Sequence, residues 1–221
     1  MMMNLFSIFD PSTSIYFQLN WINMFLIFFI FPFKFWLIPS KLIIMWKIIF
    51  NKIFNEFNII FKKNNITNFI MFLSTMMSIL LINMSSLFPY IYTSTSMMNM
   101  SLSMSLSLWL AMMIYMWSNY TIYSLAHMVP LNTPKMLMSF MVLIETISNL
   151  IRPMTLAIRL SANMIAGHLI LNLTGSSCNN KMMILMIILI LIQTMLFILE
   201  IAVSFIQSYV FTILSILYSN E

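Results

Sequence analysis

The sequence has 221 residues, of which 10 are Lys or Arg and 5 are Asp or Glu. Charged residues are 7% of the chain, against roughly 25% for a soluble domain, and the mean hydropathy is +0.97. Disorder, a disulfide scaffold and an ordinary soluble globule are excluded, because so little charge cannot cover a water-facing surface and so much apolar area cannot hide in one core. An all-α integral membrane protein is expected.

The first predicted element is an apolar, charge-free run over 14–33, about the length of one bilayer span. Residues 41–63 differ. On a helical wheel Lys41, Lys47, Lys52, Glu56, Lys62 and Lys63 share one half, and Leu42, Trp46, Ile49, Phe50, Phe54 and Phe57 share the other. Such a basic amphipathic helix lies in the membrane interface. No charged residue occurs over 64–134. Two spans fit there, about 66–88 and 103–125, with a Ser/Thr/Asn/Met-rich loop between them and a Pro130-to-Pro134 turn after them. Two long segments follow, about 135–172 and 181–219, separated by Gly175–Asn180. At ~1.5 Å rise per residue each exceeds ~50 Å, well beyond the ~30 Å hydrocarbon core. They must tilt strongly or bend, and Pro153 offers a bend in the first. The fold expected is therefore about five transmembrane helices plus one interfacial helix.

Six Lys fall between Lys34 and Lys63, and Lys135 follows after two further spans, whereas the other side has Lys181. The positive-inside rule then sets the N-terminus away from the positive side and the C-terminus on it. The single Cys178 matches no redox or metal motif. The two histidines, His127 and His168, are too few and too far apart for paired haem ligation or a copper centre. No cofactor or metal is expected. The positive charges cluster at one membrane face, so nucleic-acid binding is not implied.

Four charges sit inside apolar sequence: Glu145, Arg152, Arg159 and Glu200. A charge at the bilayer centre costs about 2.5–3.5 kcal/mol or more, so such residues face protein or water-filled space. Arg159 has only apolar neighbours in sequence and remains charged at any relevant pH. On a straight helix Glu145, Ser148, Arg152 and Asn163 lie within about 40° of it, which makes one polar stripe. A structural ion pair between Glu145 and Arg152 is the plain alternative reading of those two. His168 points to roughly the opposite side and would serve a different cavity. The last helix carries Gln193, Glu200, Ser204 and Gln207 on one stripe. A buried lone carboxyl such as Glu200 suits proton transfer, while Ser204 fits helix–helix packing.

Several strings coincide: Leu143-Ile-Glu-Thr-Ile-Ser148, Leu156-Ala-Ile-Arg-Leu-Ser-Ala-Asn163, Ala166-Gly-His-Leu169, Leu199-Glu-Ile-Ala-Val203 and Ile206-Gln-Ser-Tyr-Val-Phe211. Together they resemble subunit a of the mitochondrial ATP synthase in an insect-like version. The specific match covers 135–219, and the order of segments agrees over nearly the whole chain. The resemblance implies a proton-conducting stator subunit, not catalytic alone, that passes protons to and from the carboxylates of a rotating c-ring. Two offset half-channels would be separated by Arg159, coupling proton flow to rotation and ATP synthesis. His168 and Glu200 would form the relay of the intermembrane-space half-channel, and Glu145 would serve the matrix half-channel. Asn163 and Gln207 would be polar residues near the arginine. Expected partners are the c-ring, the peripheral stalk, other membrane-sector subunits and lipid, in the mitochondrial inner membrane with the N-terminus in the intermembrane space and the C-terminus in the matrix. A redox subunit, a substrate transporter and an intramembrane hydrolase are the weaker alternatives. Two distant His argue against the first. The absence of an evident repeat argues against the second, and missing catalytic spacing argues against the third.

Overall fold

The computed structural model describes residues 5–12, 17–25, 37–60, 66–88, 91–129, 134, 136–177 and 182–220. Among them all regular structure is helical. The helices are α1 (Lys41–Ile60), α2 (Ile66–Ser86), α3 (Met98–Asn119), α4 (Thr121–His127), α5 (Met138–Ser177) and α6 (Met183–Asn220), with 3-10 turns at Leu5–Phe9, Leu19–Phe25 and Ser94–Ser96. Four of these, α2, α3, α5 and α6, are long and apolar enough to cross a membrane. Of the predicted first span over 14–33, residues 17–25 are described and include the 3-10 turn Leu19–Phe25, while the rest lies outside the described residues, as do 130–133 of the predicted turn and Lys34, Lys62, Lys63, Lys135, Cys178 and Lys181.

The chain divides into two compact units, Met1–Thr95 with Asn163–Glu221, and Ser96–Ala162. In the first, α6 packs along α2, and α1 docks on both, on α6 and, through Phe54 and Phe57, on Phe69 of α2. Ser40 starts α1: its hydroxyl accepts the Ile43 N–H at 3.5 Å, which satisfies one of the donors a helix start leaves open. Phe57 is the docking point. It is wholly buried, with its ring edge-on to Phe69 at 6.1 Å and stacked on Tyr209 at 6.0 Å. The apolar half of α1 is thus divided, with Phe57 inward and Leu42, Met45 and Ile49 exposed. Lys41, Lys47 and Lys52 are exposed too, as an interfacial helix requires.

The α6 face toward α2 is a ladder of small hydroxyl residues. Ser204, Ser208 and Thr212 recur every four residues and are fully buried, which lets the backbones approach. Each hydroxyl donates to its own helix three residues back: Ser204 to Ile201 at 2.7 Å, Ser208 to Phe205 at 2.9 Å, Thr212 to Tyr209 at 2.8 Å. A serine that bonds its own backbone leaves no open donor in an apolar span. Asn83 of α2 is also fully buried, but neither end of its amide has a partner among the described residues.

In the second unit the helix boundaries differ from the expected 103–125 span. The helix begins at Met98, so the loop ends early, and it breaks at Tyr120, whose φ of −135° and ψ of 48° depart from the helix. The chain then re-enters a short helix, α4. Polar Ser118-Asn119 ahead of the break loses little by leaving the helix. The helix α5, 40 residues long, runs through Pro153 without interruption. The proline ring still withholds a donor from the Asn149 carbonyl one turn back. Helix α6 has 38 residues, so both helices approach 60 Å at ~1.5 Å per residue.

Candidate functional site

Three pairs of residues set α5 beside α6 in antiparallel register. Asn163 donates its amide to the Gln207 Oε1 at 3.5 Å. A Cβ on Gly167 would stand 2.9 Å from the Cδ and Cγ of Glu200. One on Gly175 would meet the Gln193 Nε2 at 4.0 Å. The partners step down α6 as they step up α5. Gly167 is the closest of the three approaches. Only a residue without a side chain admits the Glu200 carboxyl there, which gives the Ala-Gly-His string a spatial reason.

Glu200 is 5% exposed, and neither carboxylate oxygen has a hydrogen-bond partner among the described residues. The Nε2 of His168, the next residue after Gly167, is likewise buried without one. So is the Nε2 of Gln207, two helical turns beyond Glu200. Buried polar groups in proteins are normally bonded, so each exception calls for an explanation, such as a catalytic role or an ordered water. The acid and the two amides fall on the facing sides of one helix pair, and the imidazole is carried by the residue after Gly167. Their spacing in the sequence puts Asn163 and His168 on different sides of α5. The structure has Asn163 bonded to α6 and Gly167 in contact with it, so α6 covers the flank between them.

His168 also opens on a cavity of about 830 Å³. Asn172 and Gln193 line it beside His168, and Ser86, Tyr92 and Asp10 contribute from the rest of the unit. Asn172 was within reach of sequence reasoning, since it follows His168 by one helical turn on the same face. Asn83 had no such signal, being one amide in an apolar helix.

Within the second unit, the Arg152 guanidinium lies 3.7 Å from the Glu145 carboxylate, both about a quarter exposed. The ion-pair reading of these two thus has direct geometric support. Arg159, near the midpoint of α5, is exposed and makes no ion pair with the described residues.

The family profile described as ATP synthase A chain matches residues 16–220. The chain belongs to this family. Curated relatives match along its whole length. ATP synthase subunit a of Apis mellifera ligustica is 50% identical over 221 residues, covering 100% of this chain and 97% of the relative. The protein of the same name from Drosophila melanogaster is 50% identical over 223 residues, covering 100% and 99%. That of Locusta migratoria is 48% identical over the same extent. The insect-like resemblance and the all-helical membrane class hold. Both glycines and every charge at span depth lie inside the region the family profile covers.

Proposed function

We propose that the chain is the proton-translocating subunit of the membrane sector of an ATP synthase, a multi-pass protein of the mitochondrial inner membrane and not an enzyme by itself. The observation that carries this is the buried Glu200 carboxyl held against Gly167, next to His168, with neither group bonded elsewhere among the described residues. A proton arriving through the His168 cavity reaches Glu200, and Gln207 and Asn163 lie further along the α5–α6 seam, Asn163 following Arg159 by four residues in the sequence. This is the half-channel from the intermembrane space, and Glu145 serves the one toward the matrix.

Arg159 is the barrier between them. An exposed arginine at the middle of a membrane helix cannot face lipid at tolerable cost, so it faces another subunit. A ring of carboxylates is the partner its charge suits. The carboxylates release their protons beside the guanidinium, because the positive charge favours the ionised form. The same charge repels a proton passing directly between the half-channels. Helices of nearly 60 Å suit a curved partner, and the peripheral stalk and lipid cover the remaining faces. The Lys-rich α1 faces the matrix, so the N-terminus lies in the intermembrane space and the C-terminus in the matrix.

The test is Glu200→Gln in the assembled complex. Proton uptake by energised vesicles is expected to fall by about 10²-fold, the scale of losing a positioned proton-transfer group. Wild-type uptake would remove Glu200 from the path.

A further inference from the structure

The wall of the His168 cavity opposite α5 and α6 comes from the N-terminal segment, through Asp10, Ser12 and Asn20. Three contacts fasten this segment to Tyr92. The Tyr92 hydroxyl donates to the Phe9 carbonyl at 3.5 Å. The Asn23 amide donates to the Tyr92 carbonyl, and Asn23 is buried there. The Trp21 ring meets the Tyr92 ring edge-on at 6.1 Å. The segment also holds itself, since the Asn20 amide donates to the Asp10 carbonyl at 3.4 Å. The Asp10 Oδ1 accepts the Ser12 N–H at 3.4 Å.

Three titratable groups thus share one cavity. His168 is half-buried at the inner end, Tyr92 is buried in the wall, and Asp10 is exposed. Asp10 is the one carboxylate among the described lining residues. The Tyr92 phenol is pushed up, chiefly by burial and further by the Asp10 charge, so it stays neutral. The cavity then has an anion at its exposed end and a proton acceptor at its inner end.

We propose that Asp10 is the proton-collecting carboxylate at the mouth of the His168 cavity, set there by the docking of the N-terminal segment on Tyr92. This rests on the reading of that cavity as a proton half-channel. A negative charge at the rim of a low-dielectric cleft raises the local concentration of cations. Asp10 takes a proton from hydronium or a buffer acid and passes it inward toward His168, which restores the carboxylate. Its contribution is to the supply of protons rather than to their transfer at Glu200.

The experiment uses the complete ATP synthase in vesicles at fixed membrane voltage. ATP synthesis is measured against proton concentration on the N-terminal side. Asp10→Asn is expected to raise the half-saturating proton concentration about threefold at low salt, less than the full effect of one unit charge at contact in water. The difference should vanish near 1 M salt, where the Debye length is about 3 Å. Asp10→Glu should match wild type. Should Asp10→Asn fail to assemble, the wild-type enzyme alone should show the same threefold rise between low and high salt. An unshifted Asp10→Asn, a shift that survives high salt, Asp10→Glu behaving like Asp10→Asn, or a salt-independent wild type would each overturn the proposal. If Asp10→Asn is silent while Glu200→Gln is slow, only the role of Asp10 falls. If Glu200→Gln is also silent, the half-channel reading falls with it.

Discussion

The sequence holds two glycines, both on α5, and the structure assigns them opposite consequences. In Gly167→Ala the new methyl carbon would be centred 2.9 Å from the Glu200 Cδ and Cγ, well inside contact distance for two carbons. The carboxyl group could swing, but Cγ moves only with a rotamer change or a shift of the helix. Overpacking of this kind costs about 1–3 kcal/mol, partly offset by the ~1 kcal/mol that Ala gains over Gly within a helix. Assembly should therefore survive. Proton transfer should not, because it needs groups within about 2.6–3.2 Å or one bridging water, and the carboxyl would be displaced from its seat against Gly167. ATP synthesis by the assembled complex is expected to fall by about 10²-fold, the scale of a ~1 Å misplacement. In Gly175→Ala the nearest atom is the Gln193 Nε2 at 4.0 Å, an ordinary contact. That variant should synthesise ATP at the wild-type rate and resist heat slightly better. The assay is ATP synthesis per assembled complex in energised vesicles. Equal activity of the two variants would refute the claim that Gly167 is there to admit Glu200.

Other outcomes follow from the same geometry. Arg159→Ala should abolish proton-driven synthesis while leaving the complex assembled, scored by synthesis rate and native gel, and near-normal synthesis would remove the barrier role. Arg152→Gln breaks the 3.7 Å pair with Glu145. Because both groups are partly exposed, the stability loss should stay below about 1 kcal/mol, read as a small shift in the unfolding midpoint of the complex. Ser208→Leu forces a branched side chain into a fully buried position and should cost about 1–3 kcal/mol or more, seen as reduced assembly, whereas Ser208→Ala should assemble well. Added matrix-side protease should cut at Lys52 on the exposed face of α1, and cleavage from the opposite side alone would invert the orientation.

Much of the fold is legible because membrane insertion writes it in composition. The four helices long enough to cross a membrane follow from runs of apolar residues, and the great length of α5 and α6 follows from counting. The boundaries of α3 are less legible. The polar Ser118-Asn119 pair precedes the break at Tyr120, but Asn99, Ser101, Ser103, Ser105 and Ser107 lie in the same helix without breaking it, so the pair does not stand out. The docking of α1 through Phe57 is invisible for a similar reason. All aromatic residues on its apolar half look alike until α2 and α6 supply a surface, which Phe57 meets through Phe69 and Tyr209 and Phe54 meets through Phe69 at 4.5 Å. Of the site, Glu145, Arg152, Arg159 and Glu200 announce themselves as charges out of place. Gly167 and Asn83 do not, since their importance lies in what stands opposite them.

A distinction among the polar residues explains which of them report function. The spans contain many hydroxyls, and those of Ser74, Thr75, Ser78, Ser204, Ser208, Thr212 and Ser215 each donate to a carbonyl of their own helix. They are self-contained, cost little in an apolar setting, and serve close packing. Amides, imidazoles and carboxylates cannot close on their own helix so easily. Within α2, α5 and α6 the buried groups lacking a partner among the described residues are those of Asn83, His168, Glu200 and Gln207. Each such group costs roughly 1–3 kcal/mol relative to a bonded one, and an apolar residue of similar size would avoid that cost. Asn163 bonds one of the four, and Gly167 is hollowed to admit another. Polar groups held at this cost on the facing sides of helices, beside a cavity that reaches His168, are what a proton path requires and what a merely packed bundle would lack.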